Sequence, residues 1–487
     1  IKIAAIGRGT EKALKKYNLY PDLMPEVFDG ASLGEKMAKE CEPGAKILLA
    51  RAAIGNKEVI EELAKREDLI VDDVAIYDTF YENQDLIDEK GQFESGKIDC
   101  AVFTSAIHPD NPEYIAVHQL GIPCLSRAEL LGQMMKNYET PIAVSGTHGK
   151  TTTTSMISEI LLSQNMDPTL SIGGIYKSIG GNIRVGHSEY FVTEACEYTN
   201  SFLSFFPKIG IILNIEEDHL DFFKDINDIR ASFRRFAELL PADGSLIINR
   251  KISNLTEITE GLPCKVLTFG LTDDADYFAT NISYDEMGCP LFTAHFPDGS
   301  TLPVHLSVPG EHNVLNALAS LALSDILKLP AELSAKALSS FHGTDRRFEY
   351  KGKIGGVTII DDYAHHPTEI TATLKAAAKY PHNTLWCVFQ PHTYSRTKAF
   401  LKDFAKALSL ADKVVLADIY ASRETDTLGI SSKDLLRELK NLGCDCYYFP
   451  SFDEIENFLL QNCINGDLLI TMGAGDVLKI GENLLGE

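Results

Sequence analysis

The sequence predicts an α/β protein made of three parallel-sheet domains, with a phosphate-loop domain in the centre and a Rossmann-like domain at the C-terminal end. Apolar, β-branched runs alternate with amphipathic helical stretches along almost all of the chain, which is typical of parallel sheets with helices on both faces. The length of 487 residues corresponds to roughly three domains at about 100–200 residues each. A glycine-containing loop between a strand and a helix predicts the phosphate-loop domain. The predicted domains are 1–138, 139–340 and 341–487.

In the first domain, strands are predicted at 1–7, 46–51, 71–79 and 98–106, with helices at 10–17 and 57–66. The central domain is predicted to begin with a strand at 141–146, followed by strands at 189–195, 209–215 and 245–249. The last domain shows four more apolar runs, at 356–362, 384–390, 413–420 and 467–473, each followed by polar residues and a helical pattern. This order of strand, polar loop and helix favours parallel sheets throughout.

Composition excludes several functional classes. Lys and Arg number 45 and Asp and Glu number 69, giving a net charge of −24, which argues against a nucleic-acid or membrane-surface partner. We expect no membrane insertion, because no window of about 18 residues is apolar throughout. Ten cysteines without a CxxC pair favour a thiol-reducing cytoplasm. Since the first residue is Ile1, we expect the chain to begin inside a longer gene product; its oligomeric state is unknown from sequence.

The sharpest motif is the run SGTHGKTT at 145–152, placed directly after a predicted strand and at the start of a helix. In that context glycine backbone N–H groups can turn toward phosphate oxygens, Lys150 can reach the β- and γ-phosphates of ATP, and the Thr151 hydroxyl can bind Mg²⁺. Val144 stands where the common GxxxxGK[ST] pattern has its first glycine. A plain glycine turn with an exposed lysine is the alternative, but it does not account for the Lys-Thr pair. The predicted phosphate-binding residues are Gly146, Thr147, His148, Gly149, Lys150, Thr151 and Thr152.

Two acidic clusters follow neighbouring apolar strands. Glu194 lies at the end of the strand at 189–195 and Glu197 just after it, and a group containing Asp218 and His219 comes after the next strand. The carboxyl ends of parallel strands line one crevice, so both clusters are predicted to face the phosphate loop. Thr151, Glu194 and His219 are then the predicted Mg²⁺ ligands. Taken singly, Glu194 could equally be a solvated carboxylate, and His219 a helix-capping or core histidine.

Further polar motifs precede helices or follow strands. His312, Asn313 and Asn316 stand at the start of an apolar helix, where they could bind the edge of a purine or merely cap the helix. In the last domain, an Arg346–Arg347 pair, the run DDYAHHP at 361–367 and the run QPHTYSRT at 390–397 suit a small carboxylate-bearing substrate. The arginine pair could also be solvated. His365 and His366 lack a third ligand in sequence and are weak evidence for zinc.

From about residue 104 to 487 the sequence resembles the Mur ligase family of bacterial cell-wall synthesis. The resemblance is carried by ten motifs in order: SAIHPDNPE, GIPCLSRAELLG, SGTHGKTTTT, TEACEYTNSFL, NIEEDHLDFF, VPGEHNVLNALA, GTDRRFE, DDYAHHPTEI, FQPHTYSRT and MGAGD. The DDYAHHPTE and FQPHTYSRT runs point to the branch of the family that adds alanine.

The resemblance implies an ATP-dependent ligase in peptidoglycan precursor synthesis. ATP would phosphorylate the lactyl carboxylate of UDP-N-acetylmuramate, and the amine of L-alanine would attack the acyl phosphate. The residues that the resemblance implies around ATP, the metal ions, the acyl phosphate and the amino acid are Lys150, Thr151, Glu194, His219, His312, Asn313, Asn316, Arg346, Asp362, His366, His392 and Arg396.

Residues 1 to about 105 resemble part of uroporphyrinogen-III synthase instead, through runs such as IKIAAIGRGTEKAL and KILLARAAIGNKEVIEEL. The glycine loop that receives uridine diphosphate in Mur ligases is missing. Gly7-Arg8-Gly9 has the GxG spacing of a dinucleotide loop, but this spacing alone is weak evidence for nucleotide binding. We therefore expect a hybrid chain without a specific uridine site. The alternative functions are a fragment of a synthase-type lyase, and an ATP-binding protein without ligase activity.

Overall fold

The computed structural model describes residues 98–486 except 105, 423 and 425–427, and, earlier in the chain, residues 23, 30–41, 46–52, 62–66, 68 and 70–77. The predicted strand at 1–7, the helix at 10–17, the first half of the helix at 57–66 and the Gly7-Arg8-Gly9 run lie outside the described residues. The chain divides into two compact units, one formed by 1–99 with 109–123 and the other by 100–108 with 124–487. The ranges of the three predicted domains stay a prediction.

In the first unit, two parallel strands pair from Lys46 opposite Ile70, and Leu33, Met37 and Leu63 form a small core. The strand predicted at 46–51 is confirmed. The segment predicted as a strand at 98–106 forms a short strand that belongs to the second unit and pairs in parallel with 124–126. In chain order these elements are α1 (Gly30–Glu40), β1 (Lys46–Ala52), β2 (Ile70–Tyr77), β3 (Ala101–Phe103), α2 (Pro112–Gln119) and β4 (Cys124–Ser126).

A ten-stranded sheet forms the centre of the second unit. Its elements, with the flanking helices, are α3 (Arg127–Met135), β5 (Thr140–Ser145), α4 (Lys150–Ser163), β6 (Thr169–Tyr176), β7 (Gly181–Arg184), β8 (Tyr190–Ala195), β9 (Ile209–Ile212), α5 (Ile226–Glu238), β10 (Ser245–Asn249), α6 (Leu255–Thr259), β11 (Lys265–Gly270), β12 (Tyr277–Tyr284), β13 (Pro290–His295), β14 (Thr301–His305), α7 (His312–Ile326) and α8 (Ala331–Ser340). The strand order is β14-β13-β12-β11-β10-β9-β5-β8-β6-β7.

The inner strands of this sheet are parallel and buried on both faces, as the apolar runs predicted. One face packs on α4 and α7 through residues such as Ile157 and Leu318, and the other packs on α5 through Phe233 and Phe236. In register, Ser145 at the end of β5 stands opposite Ala195 of β8 and Ile212 of β9. The loops that follow these three strands therefore start at one edge of the sheet.

A six-stranded sheet follows, within the range predicted for the Rossmann-like domain. Its elements are β15 (Glu349–Ile354), β16 (Val357–Asp362), α9 (Pro367–Ala377), β17 (Leu385–Phe389), α10 (Tyr394–Ala399), α11 (Leu401–Leu408), β18 (Lys413–Leu416), α12 (Ser432–Asn441), β19 (Asp445–Tyr448), α13 (Phe452–Asn462), β20 (Leu468–Met472) and α14 (Leu478–Leu485). The order is β15-β16-β20-β17-β18-β19, and all neighbours except β15 and β16 are parallel. Asp362 and Phe389 both stand opposite Met472, so the loops after β16 and β17 also begin at one edge.

Several strands are shorter than predicted. The run at 209–215 stops at Ile212 because Asn214 turns out of the sheet: its side chain accepts a hydrogen bond from His148 N–H at 2.8 Å and donates one to His148 O at 3.0 Å. All ten cysteines lie among the described residues and are free thiols. In the described part of the chain, no helix has the length and apolarity needed to cross a membrane.

Candidate active site

The phosphate loop lies between β5 and α4, as the sequence predicted. Gly146 and Gly149 have φ values of 142° and 85°, a region that side-chain-bearing residues rarely adopt. A Cβ on Gly146 would lie 3.0 Å from Leu213 Cβ, so the close approach to the loop after β9 also needs glycine. Thr147 joins the same two loops, because its hydroxyl accepts the N–H of Glu216 at 2.9 Å.

Lys150 forms a buried ion pair at the start of α4. Its ammonium group lies 3.0 Å from Glu197 Oε2 and also donates to the carbonyl oxygens of Gly146 and Thr147. Burial lowers the pKa of Lys150, but the carboxylate of Glu197 outweighs this effect and raises the pKa above its usual value. The lysine is therefore a fixed positive charge within the loop, and an entering phosphate would meet Glu197 as a competitor for it.

Oxygen donors suited to Mg²⁺ lie beside this ion pair. The Thr151 hydroxyl donates to Glu194 Oε2 at 3.1 Å, and the other oxygen of Glu194 accepts the N–H of Gly173. A hydroxyl and a carboxylate in contact are hard ligands of the kind that Mg²⁺ binds, so this part of the predicted metal set fits the ion.

His219, the third predicted metal ligand, lies on the far side of Glu197. Its Nε2 atom is 3.7 Å from Glu197 Oε1 and 3.7 Å from Asp218 Oδ2. Burial lowers the pKa of His219, which favours the neutral imidazole that a metal ion needs. Glu197 thus connects the phosphate-loop lysine with the predicted metal histidine, a link that register alone could not show.

A cavity of about 470 Å³ opens beside the phosphate loop, within the usual size of small-ligand sites. It collects most of the residues predicted to bind the nucleotide, and its lining includes His148, Gly149, Thr152, His312, Asn313, Asn316 and Asp362, together with Asn249, Phe269 and Arg347. Asn316 donates to Asn313 Oδ1 at 2.9 Å, and Asn313 donates to Pro309 O at 2.7 Å. The Asn313 amide therefore stabilises the loop before its own helix. The cavity is lined by polar side chains and by the aromatic ring of Phe269.

A second cavity, of about 480 Å³, collects His219, His392 and Arg396. The Arg396 guanidinium lies 2.9 Å from Asp218 Oδ1 and donates to His392 Nδ1 at 3.1 Å. Burial raises the pKa of Asp218, but Arg396 outweighs it and holds the pKa below its ordinary range. The cavity wall therefore contains a guanidinium held in place by Asp218 and His392, the kind of group that binds a small carboxylate.

Two chain segments, 216–219 and 365–369, run between the two cavities. The imidazole of His366 donates from Nε2 to Glu217 O at 3.0 Å, and the Thr368 hydroxyl donates to Glu216. His148 Nδ1 lies 3.2 Å from Glu369 Oε1. Burial lowers the pKa of His148, but the carboxylates of Glu369 and Glu216 outweigh it and raise the pKa to about 9. His366, one of the predicted catalytic residues, therefore lies where a loop of the six-stranded sheet contacts a loop of the ten-stranded sheet.

Of the predicted residues Arg346 and Asp362, only Asp362 lines the first cavity. Arg346 donates to Asp361 at 3.0 Å and to Gly473 O at 2.7 Å, while its neighbour Arg347 lines the first cavity. Asp362 accepts the N–H groups of Phe348 and Ala364 at 2.9 and 2.7 Å. These contacts tie the start of the six-stranded sheet together, and the catalytic role of both residues stays a prediction.

Sequence reasoning did not single out Glu216, Glu369 and Glu424 as site residues. Glu369 follows the histidine pair by one helical turn, a spacing that could have indicated it. Glu424 accepts the N–H of Tyr394 at 2.6 Å and of Ser395 at 3.1 Å, and so holds the start of α10 beside Arg396. No local pattern marks Glu424, because its partners are about thirty residues earlier in the chain.

Both sheets are mostly parallel, with antiparallel strands at their edges. A phosphate loop on one such sheet, joined through polar loops to a second, defines the architecture of the Mur ligases. Residues 144–324 match the family model described as Mur ligase middle domain, and 346–475 match Mur ligase, glutamate ligase domain. Residues 1–108 match the model of uroporphyrinogen-III synthase HemD. The predicted hybrid character of the chain is therefore confirmed.

Closer relatives define the branch. The UDP-N-acetylmuramate–L-alanine ligase of Agathobacter rectalis is 63% identical over 388 residues, which cover 80% of this chain and 84% of that protein. The enzyme of the same name from Lachnospira eligens is 60% identical over 390 residues, or 80% and 85% of the two chains. The crystal structure of the Thermotoga maritima UDP-N-acetylmuramate–alanine ligase superposes with a TM-score of 0.68 at 27% identity, covering 91% of this chain and 99% of that one. The chain belongs to the UDP-N-acetylmuramate–L-alanine ligases.

Proposed function

We propose that this chain joins L-alanine to the lactyl carboxylate of UDP-N-acetylmuramate, with ATP and Mg²⁺, in peptidoglycan precursor synthesis. The observation that carries the proposal is the 63% identity to a ligase of that name over four-fifths of the chain. The geometry supports it, because a phosphate loop and an arginine-bearing cavity lie on either side of one pair of loops. We also propose a cytoplasmic location, which the ten free thiols support.

The phosphate loop would hold the nucleotide. Backbone N–H groups of residues 146–149 and the start of α4 would receive the phosphates, with Lys150 leaving Glu197 to neutralise the γ-phosphate. Thr151, Glu194 and His219 would hold Mg²⁺, which when bound supplies charge neutralisation during phosphoryl transfer. His312, Asn313 and Asn316 would contact the base in the first cavity.

The carboxylate and the amine would meet where the two cavities adjoin. The lactyl carboxylate would attack the γ-phosphate there, giving an acyl phosphate and ADP. Arg396, fixed by Asp218 and His392, would hold the carboxylate of L-alanine in the second cavity. The alanine amine would then attack the acyl carbon, and inorganic phosphate would leave as the amide forms. Holding both reactants in one geometry supplies the orientation that such a bimolecular step needs.

The direct test is phosphate release by the full chain. We expect release to need ATP, Mg²⁺, L-alanine and UDP-N-acetylmuramate together, and the amide product to appear at the same rate. ATP binding measured by calorimetry, without any phosphate release when both other substrates are present, would instead support an ATP-binding protein without ligase activity.

The N-terminal part of the chain leads to a second expectation. Residues 1–108 match a different family, so the uridine end of the substrate should find no glycine loop of the ligase type. Remote binding energy normally helps to position the reacting group, so its loss should lower kcat as well as raise KM. We expect a KM for UDP-N-acetylmuramate above the usual range of about 1 μM to 1 mM. A KM within that range would show that the front of this chain binds the nucleotide.

A further inference from the structure

Two histidines and a glutamate form a compact group where the phosphate loop faces the C-terminal sheet. His148, Glu216 and His366 each offer one ligand atom, and the three atoms lie within 4.8 Å of one another. The sequence offered only the adjacent His365 and His366, without a third ligand. The fold supplies the missing partners from the loops after β5 and β9, some 150 to 220 residues earlier in the chain.

The spacing within this group is close to that of a metal site. His148 Nε2 lies 3.5 Å from Glu216 Oε2. A tetrahedral Zn²⁺ ion with bonds of about 2.0–2.1 Å has ligand atoms about 3.4 Å apart. This pair therefore already has the required separation, and a nitrogen of His366 lies within 4.8 Å of both atoms as the third candidate ligand.

The buried Nε2 atom of His148 faces Glu216 Oε2 at 3.5 Å, too far for a good hydrogen bond. Without a metal ion this contact is an ion pair, because the two carboxylates raise the pKa of His148 to about 9 and keep its imidazole charged. A metal ion bound between Nε2 and Glu216 would displace the Nε2 proton and take over its attraction to the carboxylate, as metal binding to histidine releases protons.

The outer contacts of the two imidazoles also match metal ligation. Ligating histidines usually pass their second ring N–H to a carboxylate or a backbone carbonyl. His148 Nδ1 lies 3.2 Å from Glu369 Oε1, and His366 donates from Nε2 to Glu217 O at 3.0 Å. His366 Nδ1 caps α9 by accepting the Thr368 N–H at 3.3 Å, and metal binding at this atom would replace that hydrogen bond.

We propose that His148, Glu216 and His366 form a binding site for a divalent transition metal ion such as Zn²⁺. This site is separate from the Mg²⁺ site of the reaction. Two imidazoles and one carboxylate are the ligands of zinc sites, whereas Mg²⁺ takes oxygen ligands almost exclusively. None of the predicted Mg²⁺ ligands Thr151, Glu194 and His219 belongs to it. The site would link the phosphate loop to the start of α9, and it does not rest on the proposed ligase reaction.

The test is direct metal binding to the full chain, freed of metal and assayed without ATP, Mg²⁺ or other substrates. Zn²⁺ affinity is measured by competition with a chromophoric chelator, and Co²⁺ serves as the spectroscopic probe. Because loss of an outer-shell partner already costs 10–100-fold in affinity, each of His148→Gln, Glu216→Gln and His366→Gln should weaken Zn²⁺ binding at least ten-fold. The matched control is His365→Gln, which removes the neighbouring imidazole and should change the affinity less than two-fold.

Co²⁺ should give the intense visible absorption of a tetrahedral site, without a thiolate charge-transfer band. Unchanged Zn²⁺ affinity in His148→Gln, an equal loss in His365→Gln, or a thiolate band would overturn the proposal. Circular dichroism melting checks the fold of each variant. If His148→Gln does not fold, Glu216→Gln decides, because the Glu216 side chain is 36% exposed and tolerates replacement. Since no substrate is present, a negative result leaves the proposed ligase activity standing.

Discussion

Replacing Lys150 by alanine should abolish ligation and also destabilise the central part of the chain. The Lys150 ammonium lies 3.0 Å from Glu197, which is 2% exposed, so the substitution leaves a buried carboxylate without its partner. At an effective dielectric constant of about 20 the attraction at this distance is roughly 5 kcal/mol, and breaking buried pairs costs about 3–5 kcal/mol. A loss of that size should lower Tm by about 6–20 °C in a domain of 150–250 residues.

The double variant Lys150→Ala/Glu197→Gln separates stability from catalysis. Removing the stranded charge should recover at least half of the lost Tm, whereas turnover should stay at least 10²-fold below wild type because the phosphate still lacks its cation. The matched control is Lys177→Ala, which breaks a 2.9 Å pair with Glu349. The Lys177 side chain is 71% exposed, so this change should cost no more than about 1 kcal/mol.

Thermal melting and phosphate release measure the two effects. A single variant that keeps more than about a tenth of wild-type turnover would refute the role of Lys150 at the phosphates, since a lost positioned donor typically costs at least 10²-fold. A double variant no more stable than the single one would refute the ion-pair explanation of the instability.

Two further substitutions test neighbouring groups. His219→Ala should raise the Mg²⁺ concentration needed for half-maximal phosphate release while ATP binding stays largely intact, and an unchanged Mg²⁺ titration would return His219 to a capping or core role. Burial raises the pKa of Asp362 to about 6, so the folded chain binds its proton more tightly than the unfolded chain does. The free energy of unfolding should therefore lose about 3 kcal/mol as the pH rises from about 4 to 6, relative to Asp362→Asn. Parallel stability curves for the two proteins would contradict this.

Much of the fold could be predicted from sequence because its signals are local. The strand at 245–249 was predicted to the residue, and the phosphate loop was placed between its strand and helix from its glycines and Lys-Thr pair. The predicted ends of strands are less accurate where a side chain forms hydrogen bonds with the backbone of another loop. Asn214 shows this, because its amide bonds to the loop at His148, 66 residues earlier, end the strand at Ile212.

The sequence by itself determined the α/β class, the phosphate loop, the family and the hybrid front, since periodicity, turn residues and ordered motifs are all read along the chain. Only the tertiary structure decided which charges meet. It paired Lys150 with Glu197, Asp218 with Arg396 and His148 with Glu369, across separations of 47, 178 and 221 residues. Such pairs depend on strand register and on how the loops of two sheets face each other, and no local spacing encodes either.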